Sequence, residues 1–494
     1  MTDDQTVATP SDVPEPRGLI SRRNVLRAGA VGALGVGAAA AFARSGGTAA
    51  AVDLPFTATY TKTVKLAATD GWVSMPSGST PVAGYWPDGL APAPYDMYVF
   101  GFRDVTNLNP TQTVAQRGAA QISAPMLAFD EGSEIIMSLT NLGLSQRPDL
   151  TDGHTIHWHG FNNAIPLFDG VPELSAAVPI GKTLTYYYRP HDAGTYMYHC
   201  HFEDVEHVQM GMTGLVWVRP LLNYQADGVT QKFGTNASDP VTYRKALRYL
   251  YNDESTFYHR EFPIFLSENQ PESHWRDAHI QITDWAEYKP GFALMNGRAY
   301  PDTVEIATDP NYDYVADPAN RYPFNLVTYP NIPQNTPSDP PNPHLSDPNY
   351  IRRNQLQRLR YQPSTSVIDV NAGEIIALRI ASLGYIRHTL TIDGVPLHVV
   401  GADASQLKSL VSKGGDGTDN SYNTDTVDVA PGESRDVLFT APSTPGTYQL
   451  YDRDFSNLSN AGDGGYGGMI TEVRVHPANT LPDQPVPHNV KTGV

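Results

Sequence analysis

The only cysteine of the 494 residues, Cys200, stands between two histidines in the run GTYMYHCHFEDVEHVQMGM, Gly194 to Met212. His207 and Met212 follow it, and the upstream segment HTIHWHG supplies His154, His157 and His159. One thiolate, two imidazoles and a thioether make the ligand set of a blue-copper site, in which a soft sulfur and two nitrogens hold the ion and a weak axial methionine tunes its potential. Taken singly, a histidine is usually a hydrogen-bonded polar side chain and a cysteine a small buried hydrophobe. Eight such residues in two short segments point to metal instead.

These residues need elements that send them to two sides. GTYMYHC has the composition of a β-strand entered from a turn. Side chains alternate faces along a strand, so Cys200 points one way while His199 and His201 point the other. If the strand holding His157 and His159 reaches back to His154, it repeats the arrangement. Each strand then sends one ligand to a mononuclear site and two imidazoles to the opposite face, where four histidines form part of a second metal site. A nucleophilic cysteine with a histidine base is the rival chemistry, and histidines on the opposite face are poorly placed for it.

The two segments resemble those of multicopper oxidases, the laccase-like family. HWHG, DGVPE (Asp169 to Glu173), AGTYMYHCH, His207 and then Gly211 and Met212 follow in the family's order. The resemblance implies that His154, Cys200, His207 and Met212 hold type-1 copper, His157 type-2 copper, and His159, His199 and His201 the type-3 pair. It implies copper as cofactor, dioxygen as electron acceptor, and a small-molecule or metal-ion electron donor. The interval from Cys200 to His207 is longer than in the commonest family pattern, which gives the loop Phe202 to Glu206 its own geometry and makes Met210 a second candidate axial ligand.

Length and composition bound the rest. A chain of 494 residues implies two or three domains. Forty per cent hydrophobic residues, with 27 Tyr and 16 Phe, fill sizeable cores, and 41 Gly with 41 Pro suit a β-rich, turn-rich protein. A formal charge of -18 argues against nucleic acid, which needs a basic face, and favours attraction of cations. A single cysteine forms no internal disulfide. The N-terminus reads as an address: Arg22 and Arg23 precede an Ala/Gly-rich apolar run from Ala28 to Ala43, with small residues at Thr48 to Ala51. This resembles a twin-arginine translocation signal and predicts a periplasmic, cell-wall or secreted protein. The run is shorter than the ~20 residues that span a bilayer, so no stable membrane anchor is expected.

Along the chain, 1–51 reads as the export signal and 52–220 as the first domain. PMLAFDEGSEIIMSLTNLG alternates apolar and polar around a Glu-Gly turn, as two paired strands do, and KTLTYYYRP and GLVWVRP are further strands. Many short strands with Gly/Pro turns point to an all-β protein of two Greek-key β-sandwiches, which the resemblance names cupredoxin-like domains. Residues 221–260 read as a linker with some helical character in KALRYLYNDE. Residues 261–480 read as the second domain, opening on the strand-like FPIFLSE and HIQITDW and carrying a Pro/Asn/Asp-dense insertion at 305–349. A Pro-rich tail occupies 481–494.

The second half is a worn copy of the first. HTLTIDG lies over HTIHWHG, so Thr391 and Asp393 replace His157 and His159; GTYQLYDRD lies over GTYMYHCHF, so Tyr451, Asp452 and Arg453 replace His199, Cys200 and His201. Only His388, opposite His154, keeps a ligand-type side chain, and the second domain is expected to be free of copper. A dioxygen-reducing cluster takes eight histidines in the family, and this chain supplies four. The rest could come from a second copy in a homo-oligomer, or from His259, His274 or His279, which read otherwise as surface histidines; or the second site holds one copper or none. The expected function is an exported, laccase-like oxidase that couples one-electron oxidation of a phenolic or metal-ion donor to dioxygen reduction, with His157, His159, His199 and His201 catalytic. A blue-copper electron carrier and a nitrite-reductase-like copper enzyme stay open as alternatives. Asp169 could orient an imidazole or water. Glu203, Asp204 and Glu206 read as a solvated charge run able to attract cationic donors.

Overall fold

A computed structural model of the chain describes residues 61–76, 82, 84–93, 95–162, 164–226, 229–230, 248–305, 359, 361–409, 414–482 and 484. The export signal, the body of the insertion and most of the tail lie outside them. The first half contributes β1 (Thr61–Ser74), β2 (Asp96–Asp104), β3 (Leu127–Asp130), β4 (Glu134–Asn141), β5 (His157–His159), β6 (Thr183–Tyr188), β7 (Gly194–His199) and β8 (Thr213–Arg219). They form two sheets, β2-β1-β4-β6 and β3-β8-β7-β5. Period-2 patterning does this: β4 turns Ile135, Met137 and Leu139 inward, β6 turns Tyr186 and Tyr188 inward, and all meet Phe129, Trp158 and Val216 of the facing sheet in one core.

The second half repeats the plan with β9 (Arg260–Asn269), β10 (Phe292–Met295), β11 (Ile368–Asn371), β12 (Ile375–Ser382), β13 (His388–Ile392), β14 (Leu397–Ala402), β15 (Ser405–Gln406), β16 (Tyr422–Thr424), β17 (Val427–Val429), β18 (Ser434–Thr440), β19 (Gly446–Asp452) and β20 (Ile470–His476). One sheet runs β10-β9-β12-β18-β14-β15, with β16 also on β14; the other runs β11-β20-β19-β13-β17. The parallel pair β1·β4 recurs as β9·β12, and β3·β8 as β11·β20. The chain is all-β, two cupredoxin-like sandwiches of one design.

The sandwiches pack face to face through Met126, Met197, Leu215, Trp217, Phe265 and Leu383. Beside this apolar contact, Arg379 donates to Glu261 at 2.7 Å while Thr195 and Tyr251 donate to the two oxygens of Asp436, each at 2.5 Å. Every one of these groups is buried, so each relies on its partner rather than on water.

Three expectations change. The strands around the Glu131-Gly132 turn do not pair with each other: β3 lies beside β8 and β4 between β1 and β6. Alternation marks which face is buried, and here two strands bury their faces from opposite sheets. HIQITDW is not a strand; a helix, Pro271–Ala278, precedes an irregular stretch and the 3-10 turn Trp285–Glu287. Pro271 sits in the first turn, where its missing N–H costs nothing, and Trp275 stacks on His279 at 4.0 Å, one turn on. The described part of KALRYLYNDE is not helical either: Tyr249 bridges Phe257, and Asp253 caps a 3-10 turn at Glu254–Thr256.

Candidate metal centre

The thiol pocket assembles from three directions. Strand β7 ends at His199 and delivers Cys200, fully buried, into the first core. His154 arrives from outside β5, which covers only His157 to His159; an isolated bridge to Val178, bonded in both directions, fixes it instead. His207 comes from a short helix, α1 (Asp204–Gln209), on its buried side. The sulfur of Cys200 lies 3.3 Å from Nδ1 of His207 and 3.8 Å from Nδ1 of His154, and the Thr155 amide donates to it at 3.4 Å. Met212 is held beside the group by its backbone and is buried in the same core: Cys200 N donates to its carbonyl at 3.1 Å, and Met212 N to His207 O at 2.9 Å. Met210 is as deeply buried, but its carbonyl accepts from Phe100 rather than from Cys200.

Burial opposes ionisation of Cys200, yet the charge of His207 and hydrogen bonds from His154 and His207 outweigh it and hold the thiol well below its ordinary range. Burial likewise pushes His207 down, and the Cys200 thiolate lifts it to about 10. Without an ion the pocket is therefore a thiolate–imidazolium pair, and the thiolate is the form that binds metal.

The other side of β7 carries imidazoles. His157 and His199 are direct cross-strand partners in the β5·β7 ladder, and the donor atoms of His157, His159 and His199 lie within 4.8 Å of one another. The His201 ring stands 5.1 Å from that of His157 and 5.5 Å from that of His199. Nδ1 of His157 donates to the Asp169 carbonyl at 2.7 Å, and Nδ1 of His199 to the Cys200 carbonyl at 2.8 Å. Each bond places the proton on Nδ1 and leaves Nε2 a lone pair. Burial, then the crowd of neighbouring imidazoles, depresses His199 to about 3, and burial also lowers His157 and His159. These rings are neutral at neutral pH, ready to ligate.

Two glycines that sequence reading passed over make room here. A side chain on Gly170, at φ +83°, meets the Ile156 carbonyl at 2.2 Å; without one, the Asp169 carbonyl reaches His157. From the second sandwich, Gly432 brings its backbone against the His159 ring. The Asp-Gly pair in FDGVPE is the one trace of the first, and nothing local marks the second.

The three other histidines that the sequence offered, His259, His274 and His279, are engaged elsewhere. His274 is buried, not on the surface, and donates from Nδ1 to Tyr98 O at 2.6 Å. His279 stacks on Trp275 and pairs with Asp88 at 2.9 Å, and His259 accepts from the Ile375 amide. In the second sandwich, Thr391 pairs with Tyr451 where His157 pairs with His199 in the first.

Models of the multicopper oxidase family match residues 105–222 and 279–473, one in each sandwich. The chain belongs to the multicopper oxidase family. It is 33% identical over 105 residues to multicopper oxidase MCE of Talaromyces pinophilus, covering 21% of this chain and 16% of that protein. It is 32% identical over 112 residues to Laccase-1 of Emericella nidulans, covering 22% of this chain and 17% of that protein. The matched stretch is thus under a fifth of either relative's length. The solved multicopper oxidase mgLAC shares the fold, with a TM-score of 0.50 at 18% identity over 85% of this chain and 87% of that one. Copper is the cofactor a multicopper oxidase implies, and these residues fit it: an ionised thiol between two imidazoles and a methionine on one side, neutral imidazoles on the other.

Proposed function

We propose that this protein is an exported, laccase-like multicopper oxidase coupling one-electron oxidation of a phenolic or metal-ion donor to reduction of dioxygen. The observation that carries the reading is the position of Cys200 between His199 and His201, with a thiolate pocket on one side of the strand and a four-imidazole face on the other. Copper supplies single-electron transfer at the first and dioxygen reduction at the second. Around it, the chain's own groups have separate tasks. His154, Cys200, His207 and Met212 are the ligands of the electron-accepting site; His157, His159, His199 and His201 face the oxygen. The backbone from Cys200 to either flanking histidine is the path between them. The carbonyls of Asp169 and Cys200 fix two of the rings, so no reorganisation of those ligands is needed during turnover.

Four imidazoles are fewer than the family's cluster takes, and a second copy of the chain supplies the others in this proposal; His157, His159 and His201 are only half-buried and can face one. Export rests on the Arg22-Arg23 signal alone, and no described helix is long and apolar enough to cross a membrane. The deciding test is oxygen uptake by copper-loaded protein with a phenolic or metal-ion reductant. Uptake is expected in the wild type and none in His157→Ala, whose blue absorption persists. A wild type that holds its full copper and consumes no oxygen defeats the proposal. The ligand-poor second sandwich favours one other reading, a blue electron carrier, and a single copper per chain is its signature.

A further inference from the structure

The thiol pocket takes one of its two imidazoles, His207, from an element that cannot hold itself. α1 has six residues, too few for a helix to persist in water by its own hydrogen bonds. It opens at Glu203, whose backbone is left-handed at φ +46° and whose side chain caps none of the first-turn amides. It also lies in the stretch that lengthens the interval from Cys200 to His207. Its support therefore comes from outside. The first sandwich holds its C-terminal end, where Phe100 N donates to Met210 O at 2.9 Å. The second sandwich holds the rest. The Tyr385 hydroxyl, from the chain just past β12, donates to the Val205 carbonyl. The Tyr385 ring rests against those of Tyr288, 5.1 Å away, and Trp285, 6.5 Å away. Nε2 of Gln209 donates to the main-chain carbonyl of Glu268 on β9 at 3.1 Å. The same nitrogen faces Nε2 of His274 at 3.4 Å; Nδ1 of that ring donates to Tyr98 O, so Nε2 keeps its lone pair and accepts. The seam is tight: the space left among Val208, Gln209, Glu268 and Gly384 is about 10 Å³, about one water molecule. Val205 and Gln209 stand two residues to either side of His207, so the two bonds bracket the ligand.

We infer that Tyr385 and Gln209 are positioning residues of the copper site: across the sandwich interface they fix α1, and through it the direction in which His207 presents Nδ1. The inference rests on the reading of His154, Cys200, His207 and Met212 as the ligands. Its physical content is the balance between two oxidation states. Imidazole suits copper(II), whereas thiolate and thioether favour copper(I). A His207 held firmly beside Cys200 supports the oxidised ion. A His207 free to drift gives up part of that support, while the two sulfurs keep their hold on the reduced ion. Loosening α1 therefore raises the reduction potential. Neither Tyr385 nor Gln209 exchanges a proton or an electron; both act on geometry alone.

The test is a redox titration of the full-length, copper-loaded protein, followed at its blue absorption, in wild type and three variants. Tyr385→Phe deletes one hydroxyl and keeps the ring; Gln209→Leu keeps the bulk and deletes the amide. Both are expected to stay blue and to favour copper(I) by about threefold or more over wild type, an upward shift of about 28 mV at about 59 mV per tenfold for one electron. Tyr251→Phe is the control. It breaks a bond to Asp436 beside the same interface, away from α1, so its melting temperature is expected to fall and its potential to stay. A wild-type potential in either α1 variant removes that residue from the role, and in both it overturns the inference. An equal shift in Tyr251→Phe overturns it too, because general loosening would then account for the change. Wild type that takes up copper without turning blue defeats the ligand reading beneath the inference; a blue wild type with unmoved variants defeats the inference alone.

Discussion

His154 and Cys200 of the first sandwich, just beyond the ends of β5 and β7, and His388 and Asp452 of the second, on β13 and β19, occupy the same corner of the same fold, where the two strand pairs run in matching register. In both corners an imidazole is fully buried, and a buried imidazole needs partners. The first corner supplies a thiolate and a second imidazole, a set that metal completes. The second supplies carboxylates: Oδ2 of Asp452 lies 2.6 Å from Nδ1 of His388, Glu268 closes on its Nε2, and Asn457 donates to Asp452 at 2.8 Å. Burial pulls His388 down, but Asp452 and Glu268 lift it to about 9, so the ring is a cation locked between two anions. The fold places the histidine; the residue at the cysteine position decides whether the corner binds metal or holds a salt bridge.

The sharpest way to break the comparison is Cys200→Ser. It removes the thiolate, and complete loss of blue absorption from copper-loaded protein is expected, whereas any substitution around His388 leaves that absorption in place. Next comes Glu268→Gln. Withdrawing one anion from a buried ion pair costs about 3–5 kcal/mol, so a large drop in melting temperature is expected with the blue spectrum unchanged. A spectrum that vanishes would mean the two corners are coupled rather than independent.

Acidity separates the corners further. The folded-state value of His388, about 9, lies above its ordinary 6.5. Its share of stability is therefore complete below 6.5 and lost as pH rises through 9, on the order of 3 kcal/mol at most. Asp452, held low despite burial by its bond to His388, works in the opposite direction: its share is present above 3.8 and lost as pH falls below it. Thermal melts of the wild type are expected to decline between neutrality and about pH 9, and to decline less in Glu268→Gln.

The corners also measure how far sequence carries. The repeat was readable because HTLTIDG over HTIHWHG and GTYQLYD over GTYMYHC preserve strand parity, and parity alone sent Cys200 and its flanking histidines to opposite faces. Glu268 was not readable: it lies 120 positions from His388, and only the sheet β9–β12 brings it there. The same holds for Asp152 against His207 and for Val178 holding His154. Local pattern fixed which face each residue takes, while partners across sheets depend on topology, and the strands around Glu131-Gly132 show that adjacency in sequence does not choose the sheet.

The smallest expected effect tests what the second sandwich still gives the first. Its counterparts of His157, His159, His199 and His201 are gone, but Gly432 stands at the His159 ring, at φ +81°, and an added Cβ lies 3.2 Å from Nε2 of His159. Gly432→Ala meets two obstacles: a backbone angle that alanine adopts poorly, costing about 1 kcal/mol, and a methyl group that the ring must yield to by a few tenths of an ångström. Copper bound at His157, His159 and His199 is expected to weaken, read as lower copper per chain at limiting metal, while the blue absorption at Cys200 is retained. The converse outcome, full copper content with an unchanged second-site spectrum, would show that the worn sandwich serves the oxygen face only as a lid and that His159 has slack to spare. What the second copy lost in ligands it contributes, on this argument, as space for the ligands that remain.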